Sequence, residues 1–256
     1  MSPTPVKTKA LILNVLAYRE SSVILYLLTE KLGLVHGVAK GIKSCKKGSL
    51  FLERGFVIEL LIYNRPHRDL HTVGGIQVEA AFPQTRVSLI KSTVRDAAFE
   101  VLLSGVVRNT PAPELFDIII GFCTKLEVDI PDSAPADTAR PLQLLWRFYL
   151  ELCNEMGFSL ALDNCYRCGN QFGDIDHGYL FIAEGAVCCV NCTDHSQQVH
   201  FLPPGAVDCN GYLVDLHDAR RITRTLATFC RYHMDTKYQY RAVEFLMELL
   251  GEGESR

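Results

Sequence analysis

The chain has 256 residues, of which 48% are hydrophobic and 21% are charged, and its formal net charge at pH 7 is −3. This composition is typical of a folded globular protein and excludes a disordered one, because enough apolar surface is present to form a core. No apolar stretch reaches the roughly 20 residues that a membrane-spanning helix needs. The apolar run at residues 10–15 does not resemble a signal peptide, since polar Asn14, Arg19 and Glu20 come too soon. We therefore expect a cytoplasmic protein with no membrane association.

Positive charge is concentrated at the amino-terminal end of the chain. Residues 1–80 contain 11 Lys and Arg residues against 6 Asp and Glu residues, so the remaining residues carry a net charge of −8. A local excess of cations on one domain favours binding to a polyanion, while the molecule as a whole stays soluble.

Five short runs of β-branched and apolar residues, separated by turn residues, occupy the first part of the chain. They predict strands at residues 9–18, 23–29, 34–40, 56–63 and 70–78. Five strands of this length suit a small closed barrel, because closure protects edges that an isolated sheet would expose. We therefore predict an OB-like β-barrel domain at residues 1–80.

After Pro83 the spacing of apolar residues becomes helical. Amphipathic helices are predicted around residues 90–101, 115–126 and 145–156, and two more near 215–233 and 237–250. The proline-containing stretch 131–141 separates the second helix from the third, with Asp137 as a candidate helix start. The predicted fold class is α+β, with a five-stranded barrel followed by an α-helical domain at residues 81–250.

Two matched cysteine pairs, Cys165-x-x-Cys168 and Cys189-x-x-Cys192, are separated by 20 residues. Two thiolates of one pair can bind the same ion, and a second pair completes a tetrahedron of sulfur. We predict one structural zinc ion per chain, in a module at residues 163–195. A closed four-thiolate site has no position for water, so this zinc is not expected to catalyse hydrolysis. Two alternative interpretations are weaker: that the four cysteines are buried core residues, or that one pair is a redox pair.

Three further residues near these pairs are candidate substitute ligands. Cys188 precedes Cys189 directly, and His195 and His200 follow the second pair. The sequence leaves open whether one of them replaces a cysteine in the zinc site. The other cysteines show no ligand spacing and are expected to be small buried residues of a protein in a reducing compartment.

A lysine-rich segment lies between the third and fourth predicted strands. It places four lysines within eight residues, together with Gly41 and Gly48. Lysines on such a loop bind phosphates without reading base sequence. Tyr18, Phe51 and Tyr63 lie nearby and can either stack on bases or pack in the core. The predicted DNA-binding residues are Lys9, Arg19, Lys31, Lys40, Lys43, Lys46, Lys47, Arg65 and Arg68.

A second group of cations, Arg220, Arg221, Arg224 and Arg231, lies on a late predicted helix. Such stripes are commonly solvated faces, and Asp215 and Asp218 are available as local partners. We therefore interpret this stripe as a helix surface rather than a binding site.

Several segments resemble the RecO family of DNA repair proteins. Residues 29–41, TEKLGLVHGVAKG, resemble the characteristic amino-terminal block of that family. Residues 18–22, YRESS, are similar to its entry to the second strand, and residues 70–73, LHTV, to its fifth strand. The order of barrel, helices, four-cysteine module and closing helices also matches. The chain departs from the family at residues 52–56, LERGF, where a Leu-x-Pro-Phe-like segment is usual.

The resemblance implies a recombination mediator that acts in repair of DNA damage. Such a protein binds single- and double-stranded DNA, anneals complementary strands, and works with RecR to load RecA on DNA coated by single-stranded DNA-binding protein. It is expected to be associated with the nucleoid and not to be an enzyme. The resemblance also implies that the helical body binds the acidic, apolar carboxy-terminal tail of single-stranded DNA-binding protein, and the apolar face at Leu145 to Met156 beside Arg140 and Arg147 is our candidate surface.

Two other classes of function remain open at this point. A zinc-ribbon interaction or transcription module would use its barrel to bind protein rather than DNA, and would show little salt-dependent affinity for DNA. A nuclease or other enzyme would need an acidic metal cluster, and the sequence shows none at recognisable spacing.

Overall fold

A computed structural model describes residues 5–42, 51–63, 69–128, 139–173, 177–193, 199–204 and 215–251. The chain divides into two compact units. The first contains Met1–Pro83 and Val106–Thr124, and the second contains Gln84–Gly105 and Lys125–Arg256. The domain limits 1–80 and 81–250 that we expect from the sequence stay a prediction.

The first unit is built on a closed barrel of five strands. The strands are β1 (Pro5–Tyr18), β2 (Ser22–Thr29), β3 (Gly33–Ala39), β4 (Val57–Tyr63) and β5 (Leu70–Ala80). They close in the order β1-β2-β3-β5-β4, in which β3 and β5 are parallel and the other pairs are antiparallel. The OB-like five-stranded barrel predicted from the sequence is confirmed.

Successive side chains of a strand point to opposite faces of the sheet, and those on one face fill the barrel interior. On β2, Val23, Leu25 and Leu27 belong to the barrel core, whereas Ile24 and Tyr26 are half-buried on the outer face. The segment that departs from the family pattern also contributes to this interior, because Leu52 and Phe56 pack in the same cluster. Closure of the barrel therefore buries apolar residues from all five strands and from the chain before β4.

The segment at residues 106–112 is tied to the barrel in the first unit. Arg108 forms a parallel bridge with Leu34 of β3, and the Asn109 backbone N–H donates to the Leu34 carbonyl over 2.9 Å. Gly33 has a φ of +67°, and a Cβ added there would collide with the Thr110 carbonyl oxygen. This close approach explains why glycine is needed at position 33. We call residues 106–112 the strap.

Six helices are present among the described residues. They are α1 (Pro83–Val87), α2 (Leu89–Gly105), α3 (Pro113–Val128), α4 (Ala139–Glu155), α5 (Leu216–His233) and α6 (Arg241–Leu249). The five predicted helices correspond to α2 to α6. Within the residues that the structure describes, no helix is both long enough and apolar enough to cross a membrane.

Two helix starts illustrate how the sequence signals operate. The Asp215 carboxylate accepts the Asp218 backbone N–H over 2.7 Å and caps α5 where the sequence predicts its start. Helix α4 begins at Ala139, so Pro141 lies in its first turn rather than in the preceding break. Proline is tolerated there because the first backbone N–H groups of a helix have no partner within the helix. Asp137 lies outside the described residues.

The apolar face of α4 forms part of the core of the second unit. Leu145, Phe148 and Leu152 are each no more than 1% exposed. Our expectation that this face receives a peptide tail is therefore wrong, because occupying it would require the helices to separate. Helix α4 instead packs against α2 and α5.

A small sheet follows α4 in the second unit. Strands β6 (Gly178–Phe181), β7 (Ala186–Cys189) and β8 (His200–Phe201) pair in the order β7-β6-β8, with antiparallel neighbours. The turn between β6 and β7 ends at Gly185, whose φ is +62°. Sequence analysis did not predict this sheet, and it carries one of the two cysteine pairs.

Candidate metal centre and nucleic-acid interface

Two short loops bring the cysteine pairs together. The first pair lies in a turn in which the Gly169 N–H donates to the Cys165 carbonyl over 2.8 Å, with Gly169 at a φ of +73°. The Tyr166 N–H donates to the Val187 carbonyl of β7 over 2.9 Å, and so joins this turn to the hairpin. The second pair starts at the end of β7 and continues into the single turn of 3-10 helix at Val190–Cys192.

The four sulfurs of Cys165, Cys168, Cys189 and Cys192 all lie within 4.8 Å of one another. The Cys168 and Cys189 sulfurs are 3.9 Å apart. Zinc–sulfur bonds of about 2.3 Å in a tetrahedron place sulfurs about 3.8 Å apart. The sequence prediction that these four cysteines form one cluster is confirmed, and the cluster can hold a metal ion.

The electrostatics of the cluster do not allow four thiolates without a compensating cation. Burial opposes ionisation of the Cys165 thiol, but backbone N–H groups of Cys168 and Cys189 outweigh it and lower the pKa to about 6. Hydrogen bonding with the Cys189 and then the Cys168 sulfur raises the pKa of Cys192 to about 12. Four adjacent sulfurs cannot all carry negative charge unless a cation compensates them.

The two candidate substitute ligands that the structure describes, Cys188 and His200, are not part of the four-sulfur cluster. Cys188 is fully buried and packs with Cys165 and Phe181, but its sulfur is not one of the four that lie within 4.8 Å. His200 lines a groove beside α5 with Thr228 and Tyr232. His195 lies outside the described residues.

A second set of metal-ligating side chains, Asp215, His217 and Asp218, lies at the start of α5. The Asp215 carboxylate already caps the helix, and Asp218 lies 3.5 Å from Arg221. These contacts give the carboxylates structural roles. Arg221 also lies over the Phe201 ring at 3.8 Å, so this part of the arginine stripe is engaged within the unit.

The predicted DNA-binding residues that the structure describes fall into two groups at opposite ends of β2. Arg19 lies in the β1–β2 turn, and Lys40 directly follows β3, at the end where Val23 pairs with Ala39. Lys9 and Lys31 lie at the other end, where the Glu30 N–H donates to the Lys9 carbonyl over 3.1 Å. All four side chains are exposed. Lys43, Lys46, Lys47, Arg65 and Arg68 lie outside the described residues.

Two of these cations, Lys31 and Arg19, make contacts with neighbouring residues of the barrel. The Lys31 ammonium donates to the Lys7 carbonyl over 3.0 Å, and the Arg19 guanidinium lies 5.2 Å from the Tyr18 ring centroid. Of the aromatic residues considered for stacking, Phe51 is 61% exposed and Tyr63 is 37% exposed. Sequence reasoning did not select Tyr26 or His36, whose rings lie 4.1 Å apart, centroid to centroid, on the outer face of the barrel because β2 pairs with β3.

Comparison with protein families identifies both parts of the chain. Residues 1–82 match the family model described as recombination protein O N terminal, and residues 86–241 match recombination protein O C terminal. The chain belongs to the recombination protein O family. The resemblance to RecO proteins inferred from the sequence is thereby confirmed.

Curated RecO relatives are similar over most of the chain, and each is named DNA repair protein RecO. The protein of Syntrophus aciditrophicus is 25% identical over 187 residues, which cover 73% of this chain and 69% of the relative. The protein of Geobacter metallireducens is 27% identical and covers 75% of both chains. The protein of Frankia casuarinae is 28% identical over 246 residues, which cover 90% of this chain and 93% of the relative.

Proposed function

We propose that this protein is a recombination mediator in DNA repair, which binds single- and double-stranded DNA and anneals complementary strands. The observation that carries the proposal is the match of both halves of the chain to the RecO family, whose relatives are named for DNA repair. The proposed reaction makes and breaks no covalent bond. We place its action at the nucleoid.

Charge on the barrel supports this proposal. Arg19 and Lys40 are exposed at one end of β2, and Lys9 and Lys31 at the other, about 23 Å away for an eight-residue strand. Two separated groups of cations can neutralise two stretches of phosphate at once. Annealing needs this neutralisation, because complementary strands repel each other until their charge is compensated.

We propose that the four-cysteine cluster holds one zinc ion through Cys165, Cys168, Cys189 and Cys192. A bound zinc ion would supply cross-linking of the turn at residues 165–168 to the β6–β7 hairpin. The chain adds a second support, because the Arg167 guanidinium donates to the Cys192 carbonyl over 3.0 Å. The role proposed for the metal is to stabilise the second unit.

RecR, RecA acting through RecR, and the tail of single-stranded DNA-binding protein are the proposed protein partners. We propose that the tail binds in a groove beside α5 and not on the α4 face. This groove has a volume of about 310 Å³ and is lined by Phe181, Ile182, Ala183, Glu184, His200, Thr228 and Tyr232. The recess next to it includes Arg231. An apolar acidic peptide suits a groove with aromatic walls and a neighbouring guanidinium.

Two tyrosines of nearly equal exposure provide a test of the groove. Tyr232 is 56% exposed in the groove, and Tyr238 is 55% exposed outside its lining. We expect Tyr232→Ala to weaken binding of a tail peptide and Tyr238→Ala to leave it unchanged, as measured by fluorescence anisotropy at low salt. Equal affinities for both variants would remove the groove from the proposal.

The DNA-binding proposal is tested by a salt titration. We expect replacement of Lys40, Lys43, Lys46 and Lys47 by Ala to weaken binding of unrelated oligonucleotides to similar extents, because phosphate contacts carry no base information. Each lost phosphate contact should flatten the slope of log affinity against log salt by about 0.7 to 0.9. The matched control replaces Arg220, Arg224 and Arg231, and its slope should stay at the wild-type value.

The same titration distinguishes the competing interpretation. A zinc-ribbon module whose barrel binds protein would show weak DNA affinity in the wild type with little dependence on salt. If the variant with all four lysines replaced is folded and its slope of log affinity against log salt is unchanged, the lysine segment does not contact DNA. The arginine stripe of α5 then becomes the better candidate.

A further inference from the structure

One cysteine of the four-cysteine cluster is open to solvent. Cys168 is exposed, whereas Cys189 and Cys192 are half-buried and Cys165 is 2% exposed. The neighbours of Cys168 along the chain are exposed as well. A small solute can therefore reach the Cys168 side chain without prior unfolding of the second unit.

A sulfur of the other cysteine pair lies next to this exposed side chain. The Sγ of Cys189 is 3.9 Å from the Sγ of Cys168. The Cys165 sulfur is less available, because that residue is buried and its sulfur accepts the Cys189 backbone N–H over 3.3 Å. The rate of disulfide formation depends on access to the attacking sulfur, so Cys189 is a better partner for Cys168 than Cys165 is.

Another pair of neighbouring sulfurs lies in the core of the same unit. Cys153 of α4 and Cys230 of α5 have sulfurs 3.5 Å apart, and the two residues are 1% and 0% exposed. Their sulfurs are closer together than those of Cys168 and Cys189, but solvent does not reach them. Oxidation of cysteine follows thiolate character and exposure. The two sulfur pairs therefore separate the effect of access on oxidation from the effect of distance.

We propose that Cys168 is an oxidation site for peroxides, and that Cys189 captures the oxidised sulfur in a disulfide between the two cysteine pairs. Cysteines that bind a metal do so as thiolates, and the thiolate is the form that reacts with peroxides. A metal ion held by the cluster would lose two of its four ligands when this disulfide forms. The inference goes beyond the structural role proposed for zinc, and it rests on the proposed zinc site.

Each disulfide consumes one molecule of hydrogen peroxide. The Cys168 thiolate attacks a peroxide oxygen and breaks the O–O bond, which gives a sulfenic acid on Cys168 and a hydroxide ion. The Cys189 thiolate then attacks the Cys168 sulfur, forms the S–S bond and displaces a second hydroxide ion. Two protons from solvent convert the hydroxide ions to water. The two sulfurs together lose two electrons, and the peroxide gains them.

The position of this disulfide in the fold has a structural consequence. Cys168 lies in the turn at residues 165–168, and Cys189 is the last residue of β7. The two sulfurs must approach each other by about 2 Å to form the S–S bond. A disulfide between them keeps the turn linked to the hairpin after the metal is lost, whereas a disulfide within either pair would not. We therefore expect the oxidised protein to stay folded and to bind zinc again after reduction.

The test treats the purified full-length protein, loaded with zinc, with hydrogen peroxide. A coloured chelator measures the zinc released, and mass spectrometry of peptides identifies the disulfides. We expect one zinc ion to be released for each Cys168–Cys189 disulfide, while Cys153 and Cys230 stay reduced. Peroxide added in guanidinium should modify Cys153 and Cys230 as well, because unfolding removes their protection. Reductant with added zinc should restore the metal to the treated protein.

Cys188→Ala is the matched control, because Cys188 is adjacent to Cys189 but lies buried outside the four-sulfur cluster. It should release zinc at the wild-type rate and form the same disulfide. A disulfide between any other cysteines would overturn the inference and leave the zinc site intact, as would zinc retained under peroxide that oxidises free cysteine. A wild-type protein that binds no zinc would contradict the zinc site itself, and its peptide map would still decide the pairing of Cys168 with Cys189.

Discussion

The indole Nε1 of Trp146 in α4 donates a hydrogen bond to the Thr223 hydroxyl of α5 over 2.8 Å, and both residues are completely buried. The Thr223 hydroxyl in turn donates to the Ala219 carbonyl over 2.8 Å. Two helices far apart in the sequence are therefore joined by a polar contact inside an apolar core. Loss of the acceptor would leave the indole N–H unsatisfied in that core.

We expect Thr223→Val to lower the free energy of unfolding by about 1 to 3 kcal/mol, because the buried indole N–H loses its acceptor. Thr228→Val is the matched control, since the Thr228 hydroxyl donates to the Arg224 carbonyl over 2.8 Å in the same helix without a buried partner in α4. Urea unfolding followed by fluorescence measures both, because Trp146 is the single tryptophan of the chain. Equal stability of the two variants would contradict the assigned role.

The contact of the strap with the barrel predicts a large difference between two glycine substitutions. Gly33→Ala places a methyl group against the Thr110 carbonyl at a left-handed φ of +67°, and we expect it to destabilise the protein by about 2 kcal/mol or more. Gly74→Ala on β5 meets no atom within 4 Å and should change stability little. Thermal melts compare the two. A Gly33→Ala protein as stable as Gly74→Ala would show that the strap is not held at this point.

The cysteine cluster predicts one zinc ion per purified chain. Elemental analysis should find the metal in wild type and in Cys188→Ala, and should find it lost in Cys165→Ser and Cys189→Ser, which should also melt at lower temperature. Cys188 is the informative control because it is adjacent to Cys189 but outside the sulfur cluster. Metal retained in both serine variants, or lost in Cys188→Ala, would contradict the assignment of ligands.

Metal binding should also depend on pH in a defined direction. The ligands must be thiolates, so protons compete with zinc, and acidification should release the metal. The thermal stability that the metal contributes should therefore decrease as pH falls, and it should be restored when pH is raised with zinc present. A chelator titration at several pH values measures this competition. Metal affinity that stays constant across these pH values would exclude thiolate ligation.

Two buried tyrosines of the second unit should respond differently to loss of their hydroxyl groups. The Tyr149 hydroxyl has no hydrogen-bond partner among the described residues, whereas the Tyr240 hydroxyl accepts a bond from the Ser104 hydroxyl over 3.3 Å. Tyr149→Phe should leave stability unchanged or raise it, and Tyr240→Phe should lower it by about 1 kcal/mol. Guanidinium unfolding measures both effects. A larger loss for Tyr149→Phe would reveal a partner for its hydroxyl.

Local patterns in the sequence were sufficient for the parts of the fold that depend on short-range chemistry. The run of β-branched and apolar residues at 23–29 predicts a strand, and the spacing of apolar residues predicts a helix from about residue 215, where the structure shows Asp215 as the cap. The paired cysteines were equally informative, because zinc ligation requires their spacing. The sheet of β6 to β8 was missed because its strands have at most four residues and show no period.

Other features were decided only by pairing between distant segments. The apolar period of α4 showed that Leu145, Phe148 and Leu152 share a face, but only packing in the second unit determined that the core covers this face. Tyr26, His36 and Arg108 have no common sequence pattern. The register of β2 with β3 and the bridge from Leu34 to Arg108 bring them together, and both depend on long-range hydrogen bonds that no local window contains. The sequence by itself therefore determined the family, the barrel and the four-cysteine cluster, whereas tertiary structure decided which surfaces are open to partners.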